Sequence, residues 1–555
     1  MSITRVDNVP YEVAGFGSRL THDLARGEGA AAAFFPVKDW KEAASRIDER
    51  RYPRAALCKI LEREARRFSA PEAVLQNIAR LGKESTYVVA TGQQAGFLGG
   101  PLYSLHKALS AIQFARKYEA ESGGRNAVVP IFWVAGDDHD LAEIDHAGLL
   151  GEDGNLLRVR APLSADSLGR SACDARLNSD PAVLATLRDE LSKVIPAEAA
   201  ERLVETYRDK TLGDAFTALI YQWLGETGLV VVQSQNMRGL SAELLLQELN
   251  GYESTGHQIR EAGAAMRNSG YEPGFSDKAR VAPHFFIASE PALIRAGLES
   301  VAVGQGAGEW FQERSTAFEA RNLSPRTFAK SELAELIQSR PELFSSAAAL
   351  RPVLQQRLFP VVAAVLGPGE IAYWAQLGKV HEQFNAVFPY VVPRASVTLL
   401  DAAAEKNMRR LGLAAGSPGL FLDFEAMQKK VLKGGEAESR IDSHSAKILG
   451  ELDAMAAEVH SVDGGLKPLF DKAREKIAHE LQRIAEKTRA SIAQRDVAGT
   501  ARVRQLSSRV RPGGEPQERV LCTAQFMLRY PGLPAELLSA IDPAVQAHFV
   551  VALEG

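Results

Sequence analysis

The chain has 555 residues, 46% hydrophobic and 24% charged, with 65 basic against 69 acidic side chains and a formal charge of -4. That length exceeds one compact core and predicts two to four domains or large insertions, while the near balance of charge argues against a general nucleic-acid binder. The start, MSITRVDNVPYEVAGFG, lacks a charged leader followed by a continuous apolar run, and no apolar stretch is long enough to span a bilayer. The expectation is a cytoplasmic protein whose partners include neither membrane nor nucleic acid. Cys58, Cys173 and Cys522 lie too far apart for a zinc pattern or a disulfide framework, so no structural zinc is expected.

Residues 1–86 read as helical and charged, with Glu62, Arg63, Glu64, Arg66 and Arg67 on a solvated helix surface. Next comes YVVATGQQAGFLGGPLYSLHKA, residues 87–108. Its first four residues have no polar alternation, as in a strand of a parallel sheet covered on both faces. Gly92, Gly96, Gly99 and Gly100 form a turn that permits positive φ and close backbone approach. Pro101 suits a first helical turn, and Leu102, Leu105, Leu109 and Ile112 make one apolar helix face. A strand, a glycine turn and a helix N-terminus together favour an anion. Gly92, Gln93, Gln94, Gly96 and Gly100 are therefore candidate nucleotide contacts, and Lys107 is either a phosphate contact or a solvated neighbour. Neither G-x-x-x-x-G-K-[ST] nor G-x-G-x-x-G is present. Tyr103 and His106 stand at the spacing of the two histidines in the L-H-I-G-H-A signature of class I aminoacyl-tRNA synthetases and related nucleotidyl transferases, with Tyr in the first place.

A second apolar strand is predicted at 131–135, inside AVVPIFWVAGDDHDLAEIDH, and a third at 229–232. In an open parallel sheet the carboxyl ends of the strands face the ligand, which puts Asp137, Asp138, His139 and Asp140 in the same crevice as Gln93, Gln94 and His106. Asp138 or Asp140 has the alternative role of capping the helix that follows. A metal reading of residues 137–146 is available, but the H-E-x-x-H spacing is missing and no metal ligand is assigned. Residues 151–228 and 235–345 read as mostly helical insertions between core strands. The core resumes at 359–366, where Gly367, Gly369 and Glu370 open a second helix in the same manner. Tyr373 and Trp374 follow, suited to stacking or sugar contact but also to plain packing, and His381 falls on the apolar side with Trp374. A strand at 390–392 leads to Arg394, which serves either a substrate carboxylate or a salt bridge at the core edge.

From residue 401 the chain turns helical and charged. Ile448, Leu452, Met455, Val459 and Val462 alternate steps of four and three, as do Phe470, Ala473, Ile477, Leu481, Ile484, Thr488 and Ile492. Residues 463–468, DGGLKP, stop one helix and reverse the chain. An antiparallel coiled-coil hairpin over about 440–500 is predicted, its seam weakened by Ala473 and Thr488 so that it packs on another surface such as a second subunit. The organisation expected is a first core part at 1–150, an insertion at 151–228, a core strand at 229–234, a second insertion at 235–345, a second core part at 346–400 and a helical region at 401–555.

TGQQAGFLGGPLYSLHKA, PIFWVAGDDHDLAEIDH, LRPVLQQRLFPVVAAVLGPGEIAYWAQL, PYVVPRASVTLL and PQERV at 516–520, taken together, resemble the bacillithiol biosynthesis cysteine-adding family, BshC. The resemblance implies an α/β, Rossmann-like core related to class I synthetases, connecting-peptide insertions, and a C-terminal coiled coil that supports a homodimer. It implies that cysteine is joined through an amide to the amine of glucosaminyl malate, with ATP or another adenine nucleotide as activator and Mg2+ as its companion. On that reading the turn at 92–106 and His106 stabilise charge on the transferred phosphoryl, Tyr103 stands beside them, and Asp137, Asp138 or His139 acts as base. Arg394 or the 367–370 turn holds the malate carboxylates. No K-M-S-K-S loop is present. Rival readings are another adenylate-forming or nucleotidyl transferase, a nucleotide-sensing coiled-coil scaffold without catalysis, and a metal hydrolase built on residues 137–146.

Overall fold

The computed structural model describes residues 3–276, 282–301, 309–432 and 435–554. Five strands, β1 (Thr86–Gln93), β2 (Ala127–Val134), β3 (Val230–Gln233), β4 (Val361–Leu366) and β5 (Tyr390–Pro393), form a parallel sheet in the order β5-β4-β1-β2-β3. Ala90 lies between Ile131 of β2 and Ala364 of β4, and β2 to β4 are buried almost throughout. Helices cover both faces, so these strands carry apolar runs with no alternation. Each of the five apolar runs in the sequence is a strand of this one sheet, and the fold is the expected α/β, Rossmann-like one. The strand order reverses at β1, with β2 on one side and β4 on the other. A crevice opens there at the carboxyl ends.

Between β1 and helix α1 (Tyr103–Glu121) the turn glycines serve two different needs. Gly99 and Gly100 have φ of +79° and +68°, which only glycine adopts freely. Gly92 and Gly96 have no positive φ; a Cβ on Gly92 would stand 2.7 Å from the Trp133 carbonyl oxygen, and one on Gly96 2.7 Å from the Gly100 Cα. Close backbone approach, rather than conformation, requires glycine at those two.

The first insertion is mainly helical as expected, with one short strand, and the second departs from the helical expectation. Residues 146–160 form an antiparallel pair, His146–Leu150 with Leu156–Arg160, ahead of the helices that lead to α2 (Leu212–Leu224). After β3 and the long helix α3 (Ala242–Asn268), the chain builds a five-stranded antiparallel sheet in the order Thr327–Ala329, Trp310–Arg314, Ile294–Val301, Phe285–Ser289, Phe344–Ser346. Its inward faces carry charged residues, Arg295 and a fully buried Glu313. Charges at core positions erase the apolar alternation by which a half-buried strand is recognised.

The two ends of the chain are also not purely helical. Ile3–Val9 pairs antiparallel with His548–Leu553, which pairs in parallel with Ser396–Leu400. Helix α4 (Pro368–Trp374) follows β4. Helices α5 (Gly435–Val462) and α6 (Lys467–Arg495) form the predicted hairpin, reversed at Gly464–Leu466, where Asp463 accepts the Gly465 N–H at 2.8 Å. Arg474 and Asp453 bridge the two helices at 2.6 Å, while Ile448, Met455 and Ile484 stay largely exposed. The side chain of Ile492 lies outside the described residues. Among the described residues no helix is long and apolar enough to cross a membrane.

Candidate active site

Three cavities surround the carboxyl ends of the sheet. One of about 360 Å³ lies over the glycine turn and is lined by Gln93, Gln94, Gly96, Gly100 and Tyr103 together with Arg158 and Arg519. A second, about 420 Å³, is bounded by Gly369, Arg394, Glu515, Glu518, Arg519 and His548. The third, about 330 Å³, holds Asp137, Asp138 and His139 against the antiparallel sheet of the second insertion. The first two share Glu515 and Arg519.

The N-terminus of α1 is partly closed by the chain itself. The Leu102 N–H donates to the Leu521 carbonyl at 2.9 Å, the Ser104 N–H to Pro101 and the His106 N–H to Leu102, while the Thr523 N–H reaches back to the Gly100 carbonyl at 2.8 Å. A backbone segment from the C-terminal region thus takes up the Leu102 N–H at the cap of α1. Lys107 is neither solvated nor free for a ligand: its ammonium donates to the Gly92 carbonyl and Gln93 Oε1, both at 2.8 Å, and pairs with Glu370 at 2.5 Å. Burial pulls its pKa down in spite of Glu370. Glu370 also accepts the Gly367 N–H at 2.8 Å, so the start of α4 is capped by its own carboxylate.

His106 is placed differently from the expectation as well. Its side chain has no exposed surface, its Nδ1 lies 3.0 Å from Glu518 Oε2, and its Nε2 is buried without a partner. Burial lowers its pKa and keeps the ring neutral, so Nδ1–H donates to Glu518. A ring so enclosed does not touch a phosphoryl group. Arg394 takes the structural one of its two roles, a bidentate pair with Glu518 at 2.7 and 2.9 Å. Burial opposes the charge on Glu518, but the Arg394 guanidinium and the His106 bond hold its carboxyl well below the usual range. Ser396 Oγ and the Val397 N–H add bonds to the same carboxylate, and His548 bridges Ser396 and Thr398. Glu518 was within reach of the sequence, in PQERV, yet nothing in that five-residue stretch marks one acid as buried.

Tyr103 borders the first cavity, with Gln93 Nε2 3.4 Å from its hydroxyl and the Arg394 guanidinium 5.6 Å from its ring centroid. Burial raises its pKa, so the hydroxyl remains protonated. Gln94 Nε2 donates to Asp138 Oδ2 at 2.8 Å and to Glu143 at 2.7 Å, joining the first and third cavities. Burial opposes ionisation of Asp138, but Gln94 and the Asp140 N–H, 3.1 Å from Oδ1, hold its pKa below normal. Asp138 thus fixes the turn through the Asp140 backbone, and the Asp140 side chain makes no cap bond on the four-residue helix that follows. Asp137 is tied to Arg238, whose Nε donates at 2.8 Å. His139 Nδ1 accepts from Arg295 at 2.8 Å, and burial together with that cation lowers its pKa. The ring is neutral with its proton on Nε2, a donor rather than a base. Trp374 is core: 4% exposed, it packs on His381 and Phe388, which excludes the stacking role. Tyr373 instead accepts from Arg351 at 2.6 Å and packs on Phe275. Among the described residues no group of three or more His, Cys, Asp or Glu is arranged to hold a metal. Arg238 and Arg295 stand among residues of no pattern, and Arg351 and Arg519, though inside LRPVLQQRLFPVVAAVLGPGEIAYWAQL and PQERV, are singled out there by nothing in the sequence.

Two family models cover the chain. Residues 4–395 match the bacillithiol biosynthesis BshC N-terminal Rossmann-like domain, and residues 397–553 match the BshC C-terminal coiled-coil domain. Relatives bearing the name "Putative cysteine ligase BshC" include one from Geobacillus thermodenitrificans, 29% identical over 522 residues and covering 91% of each chain. Others come from Bacillus cytotoxicus and Bacillus cereus, each 28% identical and covering 88% of this chain and 89% of the relative.

Proposed function

Because the chain belongs to the bacillithiol biosynthesis BshC family, we propose that it is a ligase joining L-cysteine through an amide to the amine of glucosaminyl malate. The observation that supports this best is the crevice at the reversal of strand order, where Gln93, Gln94, Tyr103, Arg158 and Arg519 face one cavity and Asp138 bridges it to the next. Donors for an anionic acyl donor thus lie beside a carboxylate that can accept a proton.

Amide formation from a free carboxylate needs activation, which an adenine nucleotide with Mg2+ would supply by accepting attack at its α-phosphate. With the Leu102 N–H and the start of α4 engaged by the protein itself, Arg158 and Arg519 are the arginines that face a phosphate in the first cavity. Among the three candidate bases the geometry favours Asp138. Asp137 is neutralised by Arg238, and His139 offers only an N–H. An amine becomes strongly acidic once it has attacked an activated acyl carbon, so even a carboxylate of low pKa removes its proton. A cytoplasmic site of action and a homodimer joined through α5 and α6 complete the proposal.

The test is to incubate the purified chain with cysteine, glucosaminyl malate and ATP, omitting each in turn, and to follow thiol product and nucleotide by mass spectrometry. Product with AMP release is expected. Product with no change in nucleotide would retain the substrates and sink the adenylate route, and no product from folded protein would sink the ligase itself.

A further inference from the structure

Where the antiparallel sheet of the second insertion faces the carboxyl ends of β2 and β3, the 330 Å³ cavity is lined by polar groups that are mostly donors. Arg295 is buried, with Nε on Ser345 Oγ at 3.1 Å, Nη1 on His139 Nδ1 at 2.8 Å, and its guanidinium carbon 3.6 Å from the Phe286 ring centroid. Arg351 lines the same space and spends one nitrogen on the Tyr373 hydroxyl. Among the described residues neither guanidinium has a carboxylate at salt-bridge distance, whereas Arg238 nearby is paired with Asp137. Trp133, 2% exposed, also lines the cavity, and its indole N–H is buried without an acceptor. The two acids at the rim are engaged elsewhere, Asp137 by Arg238 and Asp138 by Gln94 and the Asp140 N–H.

Asp137 and Asp138 act on Arg295, and Glu370 and Asp138 on Arg351, only from beyond salt-bridge distance; sheltered cations so incompletely paired, beside an indole N–H without acceptor, are costly in an empty protein and become favourable when an anion enters. A planar guanidinium accepts a carboxylate by two parallel hydrogen bonds. Ile259, Phe275 and the three alanines at 347–349 give the same cavity an apolar wall for a short carbon skeleton. We propose that this cavity binds a small dicarboxylate, Arg295 and Arg351 each taking one carboxylate and the Trp133 N–H donating to the bound anion. The pocket stands on its own geometry; the identity of the dicarboxylate as the malyl group rests on the ligase reading. It would hold the attached amine at the Asp138 rim, and it moves the carboxylate subsite from Arg394, which Glu518 already occupies, to the second insertion.

The test uses the full chain, titrated calorimetrically with L-malate, acetate and inorganic phosphate and followed by thermal melting. Malate is expected to bind at least ten-fold more tightly than acetate or phosphate and to raise the melting temperature. Arg295→Met and Arg351→Met are each expected to weaken malate at least ten-fold and to remove the thermal shift, and Trp133→Phe, which removes the indole donor, to weaken malate as well. Should a Met variant not fold, Arg295→Lys and Arg351→Lys, which keep the charge and lose the bidentate geometry, are expected to show the same loss. Unchanged malate affinity in the arginine variants overturns the proposal. So does phosphate binding more tightly than malate, which would assign the cavity to a nucleotide. Arginine-dependent malate binding in a chain with no ligase turnover keeps the pocket and sinks the ligase. Normal half-saturation by glucosaminyl malate in both arginine variants does the reverse.

Discussion

Lys107 and His106 occupy consecutive positions of α1 and are both buried, each against one carboxylate. Removing one member of such a pair strands the other charge. Lys107→Met is therefore expected to destabilise the protein by about 3–5 kcal/mol, a loss partly recovered when Glu370→Gln is added, as read from denaturant unfolding. His106→Ala is expected to cost roughly 2 kcal/mol of stability by leaving Glu518 with one donor fewer, while turnover per folded molecule falls by less than about three-fold. A drop of a hundred-fold in turnover with unchanged stability would return His106 to the chemistry. His381 and His548 extend the argument to pH. Burial, opposed only in part by the Leu377 carbonyl at His381 and by Glu518 at His548, leaves both lowered to about 4. An unfolded histidine titrates near 6.5, so between those values the unfolded state binds the extra protons and stability falls as pH falls. For two such groups the slope is at most about 3 kcal/mol per pH unit. Melting temperatures are expected to be level from pH 7 to 8 and to drop steeply between 6 and 4.5; a level profile through that window would refute the buried neutral state.

At the scale of elements, the legible parts of this chain were those whose environment is uniform. A strand covered on both faces shows as VVVQ or VVAAVL, and a helix hairpin as alternating steps of three and four, because one physical requirement repeats along the element. The insertion sheet was illegible because Arg295 and Glu313 sit at inward positions, where Arg295 bonds to the distant His139 and Glu313 is paired with Arg326. The same reason hid the occupancy of the site. That α1 starts with glycines and a proline could be read, but that Leu521 bonds to Leu102 depends on a contact across more than four hundred residues. The hairpin carries its own prediction. With Ile448, Met455 and Ile484 exposed along α5 and α6, Ile448→Glu with Ile484→Glu is expected to turn a dimer into a monomer by light scattering while leaving the melting of the Rossmann-like core unchanged. A wild-type monomer at micromolar concentration would remove the hairpin as the dimer contact.

At the scale of the molecule, residues remote in sequence close the structure. Glu518 supplies the carboxylate against which Arg394 and His106 are satisfied, Leu521 and Thr523 bond to the start of α1, and His548–Leu553 is the middle strand between Ile3–Val9 and Ser396–Leu400. A polypeptide emerging from the ribosome makes β1 and α1 early, yet holds an unpaired guanidinium, an unpaired imidazole and a two-sided gap between edge strands until Glu518 and His548–Leu553 appear. The nascent chain must therefore wait in an incomplete state for most of its synthesis, and a message cut short before the codon for residue 518 should yield a product that proteases clear rather than one with partial activity.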